Sequence, residues 1–229
     1  MDGSETGLPP GFVAGNHFDK YGSRNPIHRA LVGGFLRAAG ELVRIAAPGR
    51  VLEVGCGSGD LAARLFWADG RPRVEYTGID LSPDEVSAAR TRCPAGAFRV
   101  ATAYDLPFPD RAFDLVVVCE VLEHLDRPAD CLREVRRVCG GHALISVPWE
   151  PTWRVLNVVR GKYWRSLGNT PGHVQQFSRR ACRRLVSSRF DLVAERRPFP
   201  WTMVLGRLRP DPPTRVRPPA GSSSLPQEV

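Results

Sequence analysis

The stretch VLEVGCGSGD, Val51–Asp60, decides the fold. An apolar run, Arg50–Val54, reads as a buried strand and delivers Glu53, then Gly55, Gly57 and Gly59, before Asp60 opens a helix. Glycines at that spacing let the backbone turn sharply and approach a ligand with no Cβ in the way. About 20 residues on, a second apolar run ends in Gly78-Ile79-Asp80, where an acid accepts hydrogen bonds from a ribose diol. The glycines follow GxGxG rather than GxGxxG, and acidic Glu53 precedes them. A carboxylate there suits a cationic ligand and is unfavourable beside a pyrophosphate.

Outward from the loop, strand and helix patterns alternate, which marks an α/β domain with a parallel sheet covered on both faces. Strands are expected at Arg50–Val54, Val74–Ile79, Ala97–Ala101, Phe113–Cys119 and His142–Val147, with helices near Asp60–Trp67, Pro83–Arg92, Arg127–Cys139 and Ser178–Ser188. Arg189–Arg197 and Thr202–Leu208 read as two closing strands, an antiparallel hairpin joined at Pro198–Trp201. Together these make a Rossmann-like, doubly wound seven-stranded sheet, mostly parallel. Ahead of it, Ile27, Ala30, Leu31, Gly34, Phe35, Ala38, Leu42 and Ile45 recur at helical spacing until Pro48-Gly49.

The domain is expected to span residues 16–208, with cap helices at 16–47 and an aromatic insertion at 148–177 that forms a lid over the acceptor. Trp149, Trp153, Tyr163, Trp164 and Phe177 fall in that insertion. Residues 1–15 read as a loose, Gly- and Pro-rich start, and 209–229, rich in Pro, Ser and Arg, as a disordered tail.

Composition narrows the function class. At 229 residues with 42% hydrophobic content, the chain suits one α/β domain. No apolar run reaches the roughly 20 residues of a membrane span, and the start lacks a basic, then apolar, leader pattern, so a cytoplasmic location is the expectation. The six cysteines form no CxxC pair and read as reduced thiols; no metal site is indicated. The net charge of +8 is almost all arginine, Lys20 and Lys162 being the only lysines. Much of the basic excess lies late, from Arg179 to Arg197. A solvated basic face is the reading preferred over a nucleic-acid partner, and Ser178–Ser188 is a weak candidate for a helix lying on a membrane surface. The sequence leaves monomer and homodimer open.

With these residues in view, Val51–Asp60 resembles motif I of the class I S-adenosylmethionine (SAM) dependent methyltransferases, in particular their small bacterial, UbiE-like members. ATAYDLPFPD at Ala101–Asp110 resembles that family's GDAxxLPFPD loop, and FDLVVVCEVLEHL at Phe113–Leu125 its fourth strand and following turn. Resemblance is strong over Val51–Pro148 and weaker to Leu208; Phe18–Phe35 is also similar to the first helix of a bacterial subset. The resemblance implies the class I methyltransferase fold and SAM as cofactor. Glu53, Gly55, Cys56, Gly57, Gly59, Asp80, Leu81, Thr102, Ala103, Cys119, Glu120 and Tyr21 are then the cofactor-binding candidates. Where the family usually carries an acid for the adenine amine this chain has Thr102, so that contact could instead come from Thr102 itself, from the Ala103 backbone or from Asp105.

Methyl transfer from a sulfonium is an in-line displacement that depends mainly on holding the acceptor in place. A hydroxyl acceptor also gains from a base, and histidine is the usual one near neutral pH. His173, His124 and His17 are the candidates; His28 reads as helix surface and His142 as structural. The expected reaction is methylation, on oxygen before nitrogen, of a small molecule of secondary-metabolite, sugar or lipid type. The alternatives are an RNA or protein methyltransferase using the basic C-terminal region, and a SAM-binding subunit without catalysis. Against the first, no [DN]PP[YF] tetrad follows the fourth strand.

Overall fold

The computed structural model describes residues 24–149 and 175–210. The first helix, α1 (Pro26–Ala46), begins as its sequence dictates: the Asn25 side chain accepts hydrogen bonds from the backbone N–H groups of Ile27 (2.9 Å) and His28 (3.3 Å), and Pro26 occupies the first turn. It ends at Ala47, in left-handed conformation ahead of Pro48-Gly49. Its apolar stripe of Val32, Phe35, Ala38, Ala39 and Leu42 is buried, and so is His28, which the sequence reading had placed on the helix surface.

The strands and helices that follow are β1 (Arg50–Val54), α2 (Asp60–Leu65), β2 (Trp67–Ala68), β3 (Arg71–Pro72), β4 (Glu75–Asp80), α3 (Pro83–Arg92), β5 (Ala97–Val100), β6 (Phe113–Cys119), a 3₁₀ turn (Leu122–His124), α4 (Pro128–Val138), β7 (Cys139–Pro148), α5 (Arg179–Ser187), β8 (Phe190–Arg196) and β9 (Trp201–Leu208). Seven strands form one sheet in the order β5-β4-β1-β6-β7-β9-β8, with β9 antiparallel to both of its neighbours and the other pairings parallel. This is the architecture expected from the sequence.

Three details differ. The helix expected to reach Trp67 stops at Leu65, because Trp67–Pro72 folds into a small hairpin, β2–β3, around Asp69-Gly70, both at positive φ. An Asp-Gly pair favours such a tight turn. Cys139 opens β7 rather than closing α4. That strand starts three residues before His142, with Gly140 and Gly141 packed against the backbone of Arg111 and Asp114, where a Cβ would come within 3.0 and 2.5 Å respectively.

Sheet residues are buried on both faces, as expected for a doubly wound fold. Val51, Tyr76, Leu115, Val117 and Leu144 pack toward α1, α2 and α3, whereas Leu52, Val54, Val116, Val118 and Ile145 pack toward α4 and α5. From β1 the chain moves outward to β4 and β5; from β6 it moves the opposite way, to β7. The strand order therefore reverses between β1 and β6, and a crevice for ligands opens at their carboxyl ends.

At the other end of the sheet, a Cβ added to Gly206 in β9 would lie 2.6 Å from Phe190 Cβ and 3.3 Å from Val186 Cγ1. Gly206→Ala should overpack this contact between β9, β8 and α5 and cost about 1–3 kcal/mol. A urea midpoint equal to that of the unaltered protein would refute this.

Candidate functional site

The glycine loop after β1 is fixed from below and from the side. Gly55 and Cys56 donate their N–H groups to the carbonyl of Ile79, at 2.8 and 2.9 Å, which ties the loop to the end of β4. Gly55, Gly57 and Gly59 all have positive φ, a conformation in which a side chain is strained. At Gly55 a Cβ would also stand 2.5 Å from Val121 Cγ2, so the loop touches the segment after β6 across the switch point.

Asp80 closes the ring. One carboxylate oxygen accepts the Gly57 N–H at 2.9 Å and the other accepts the Ser82 N–H at 2.9 Å. Ser82 in turn caps α3, its hydroxyl oxygen accepting from Glu85 N–H. The acid is thereby oriented at the mouth of the crevice, half-buried, with Leu81 beside it.

Glu53, expected to offer charge to a cationic ligand, lies in β1 two residues before Gly55. It is 2% exposed and accepts a hydrogen bond from the Tyr76 hydroxyl beneath the loop. Burial pushes its carboxyl up to about 8, against a lowering by the Tyr76 hydrogen bond, so the group is mostly neutral at pH 7. The Cys56 thiol above it is pushed well above its ordinary range, mainly by burial. All six cysteines are buried and free, and burial raises Cys131, Cys139 and Cys182 to about 12. None of Cys56, Cys93, Cys131, Cys139 and Cys182 is a ready thiolate.

The loop after β5 forms the next wall. Ala101 N–H bonds to the Asp80 carbonyl, which brings Thr102 and Ala103 beside Asp80. Thr102 Oγ1 accepts from Tyr104 N–H at 3.3 Å, and Asp105 is exposed. Arg137 of α4 anchors this loop: its guanidinium donates to the carbonyls of Leu106 and Phe108 and pairs with Glu134 and Asp110. Glu134 receives Leu106 N–H, and the Arg137 hydrogen bond holds its carboxyl below the usual range.

On the far side, β6 ends in Cys119, and Glu120 follows at φ 60°. A non-glycine residue held there stores strain, which is typical of functional edges. Glu120 N–H bonds to the Ser146 carbonyl of β7, and its carboxylate accepts from Ser146 Oγ (3.0 Å) and Trp201 Nε1 (2.5 Å). Trp201 packs edge-on against Phe35 of α1, with ring centroids 5.1 Å apart. Four elements thus converge on one acid, and the sequence reading had named only Glu120 and the adjacent Cys119. Ser146 was legible only as a lone hydroxyl in an apolar strand, and Trp201 only as an aromatic after a proline. His124 ends the 3₁₀ turn beyond Glu120 and is half-buried.

Gly55, Cys56, Gly57, Gly59, Asp80, Leu81, Thr102, Ala103, Cys119 and Glu120 are therefore gathered along one edge of the sheet. His17, Tyr21, His173 and most of the aromatic insertion lie outside the described residues, as do residues 1–15 and most of the tail. Among the described residues no cluster of three or more metal-ligating side chains occurs, and no helix is long and apolar enough to cross a membrane. The residues present fit SAM: the loop leaves space at Gly57, where an added Cβ would meet only Glu85 Oε2 at 3.8 Å, and a fixed acid stands at the ribose position.

The buried carboxyl makes stability depend on pH. Because Glu53 is raised from its ordinary 4.5 to about 8, the folded protein holds a proton that the unfolded chain releases. Its contribution is fully present below pH 4.5 and is lost as pH rises through about 8. Between pH 5 and pH 9 the unaltered protein should lose roughly 3–5 kcal/mol that Glu53→Gln retains. Parallel denaturant titrations at both pH values test this, and equal slopes for the two proteins would refute it.

Comparison with known proteins agrees with this geometry. Residues 52–145 match the family described as "Methyltransferase domain". The demethylmenaquinone methyltransferase of Thermotoga maritima is 37% identical over 98 residues, 43% of this chain and 42% of that protein. The phosphatidylethanolamine N-methyltransferase of Cereibacter sphaeroides is 37% identical over 105 residues, 42% of this chain and 49% of that protein. The chain therefore spans less than half the length of either relative. Among solved structures, magnesium protoporphyrin IX methyltransferase of Synechocystis with bound SAH superposes with a TM-score of 0.61 at 17% identity, over 82% of this chain and 90% of that one, a likeness of fold. Loop, acid, switch point and domain match lead to one conclusion: residues 52–145 are similar to the methyltransferase domain, on a sheet of the class I methyltransferase fold.

Proposed function

We propose that this protein transfers the methyl group of SAM to a small, lipid-type acceptor held over the carboxyl ends of β6 and β7. The observation that carries the cofactor side is Asp80, whose two oxygens are oriented by Gly57 and Ser82 beside three positive-φ glycines. SAM supplies a methyl group activated on a sulfonium, transferred by in-line displacement. The chain's own contribution is to bind, orient and exclude water, which is where proximity effects arise. Gly55 to Gly59 and Asp80 hold the cofactor; Leu81, Thr102 and Ala103 line its base. Thr102, already accepting from Tyr104 N–H, offers the adenine amine a weaker acceptor than a carboxylate would.

Glu120 stands between the cofactor loop and the acceptor space. Its carboxylate is aimed by Ser146 and Trp201, a suitable arrangement for orienting a hydroxyl or amine on the acceptor. His124, His173 and His17 are the proposed bases for a hydroxyl acceptor, with residues 148–177 as the lid. The acceptor class rests on the names of the relatives, which specify a demethylated menaquinone and a phosphatidylethanolamine. Whether oxygen, nitrogen or carbon receives the methyl group is decided by assay with quinol, phenol, sugar and phospholipid acceptors.

Calorimetric titration with SAM and its demethylated product, with NAD as control, tests the cofactor assignment. Both sulfur compounds should bind and NAD should not. Asp80→Asn should weaken SAM on the order of 10- to 100-fold, as expected for lost hydrogen bonds to a charged group. Folded protein that ignores SAM would overturn the proposal.

A further inference from the structure

Charge in this protein is segregated by element. Residues 24–149 carry sixteen arginines and sixteen acids, whereas residues 175–210 carry nine arginines and two acids, with no lysine in either stretch. The basic excess of the described residues therefore belongs to α5, β8 and β9, and β8 is the outermost strand of the sheet. The two acids are already engaged: Glu195 pairs with both Arg183 and Arg197, and Asp191 with Arg209. Arg180, Arg184 and Arg189 are exposed, and no described acid pairs with them.

These arginines follow a line. In α5, Cys182 and Val186 face the core, which leaves Arg180, Arg183 and Arg184 on the outer side. The helix starts near the ligand edge, where Arg179 lies 4.0 Å over the Trp149 ring, and the turn after it carries Arg189 at the opposite end of the sheet. Apolar residues share this edge. Leu192 and Val193, at the irregularity in β8, are 36% and 44% exposed, and Phe199 in the β8–β9 turn is 49% exposed. That turn sits at the ligand edge: the Pro200 carbonyl accepts Trp149 N–H, and Trp201 reaches Glu120.

We propose that the α5–β8 edge, with Phe199 at its tip, docks on an anionic lipid bilayer. Each arginine near such a surface gains favourable interaction with acidic headgroups, while apolar side chains between the arginines enter the headgroup region. A nucleic acid would engage the arginines but leave Leu192, Val193 and Phe199 without an apolar partner, which favours the bilayer. Docking in this orientation places the β8–β9 turn, from which Trp201 reaches Glu120, at the membrane, so that an acceptor dissolved in lipid has a short path to the Glu120 end of the crevice. That use of the surface rests on the methyl transfer proposed above; the docking itself does not.

Co-sedimentation of the full chain with vesicles tests the surface. Vesicles of phosphatidylcholine with about one-third phosphatidylglycerol should bind the protein, and phosphatidylcholine alone should not. Binding should fall between about 0.1 and about 0.5 M salt. The triple variant Arg180→Ser, Arg184→Ser, Arg189→Ser should bind on the order of 100-fold more weakly, from roughly fivefold per arginine. Phe199→Ser should bind severalfold more weakly, and the control pair Arg71→Ser, Arg73→Ser, in the charge-balanced region, should be unchanged. SAM titration of every variant should match the unaltered protein, which also verifies folding. Equal binding to both vesicle types, an equal loss in the control pair, or binding to single-stranded RNA with none to vesicles would overturn the proposal. Vesicle binding by a protein that ignores SAM would sink the methyltransferase reading and leave the docking surface standing.

Discussion

The site depends on a carboxylate that binds the protein before it binds anything else. Asp80 belongs to β4, Gly57 to the loop after β1 and Ser82 to the turn into α3, and two hydrogen bonds of 2.9 Å make them one unit. Hydrogen bonds with a charged partner are roughly twice as strong as neutral ones, so a single acid restrains a loop that glycine would otherwise leave free. The same residue that is aimed at a ligand also shapes the backbone around that ligand. Binding therefore meets a largely prepared surface and spends less on ordering the chain.

A second acid plays the matching part on the other side of the crevice. Glu120 joins β6, β7 and β9, and through Trp201 it also reaches α1. Its backbone sits in a conformation that a free chain avoids, and the converging Ser146 and Trp201 donors offset that cost. The two walls of the site are thus built alike: a carboxylate at the end of a parallel strand, held by donors from neighbouring segments. Between them, Glu53 is an acid of another kind, neutral and enclosed, serving the packing beneath the loop.

Much of this was legible in the sequence because it depends on short-range pattern. The strand before Gly55, the glycine spacing, the acid at Asp80 and the apolar run of β6 are each contiguous, and the doubly wound sheet follows from their alternation. What escaped depends on contacts between distant segments. Nothing in Glu53's neighbours announces that Tyr76 lies under it, and the helix expected to Trp67 ran two residues past its end into the first strand of the Asp69-Gly70 hairpin. His28, read as helix surface, is buried. The Ser146–Glu120–Trp201 junction joins residues on three strands, which no local window reveals. The even charge of residues 24–149 was hidden in the total, because a net charge says nothing of where it resides.

The contact between Gly55 and Val121 also constrains how the protein can vary. With Val121 Cγ2 only 2.5 Å from where a Cβ would stand, and with positive φ besides, position 55 is closed to any side chain while valine occupies 121. The reverse does not hold: a smaller residue at 121 costs only a packing defect. Substitution history at these two sites should therefore be asymmetric, with drift at 121 tolerated and change at 55 opposed by the contact first and by its positive φ even afterwards. Two positions on separate strand ends are in this way bound into a single heritable unit.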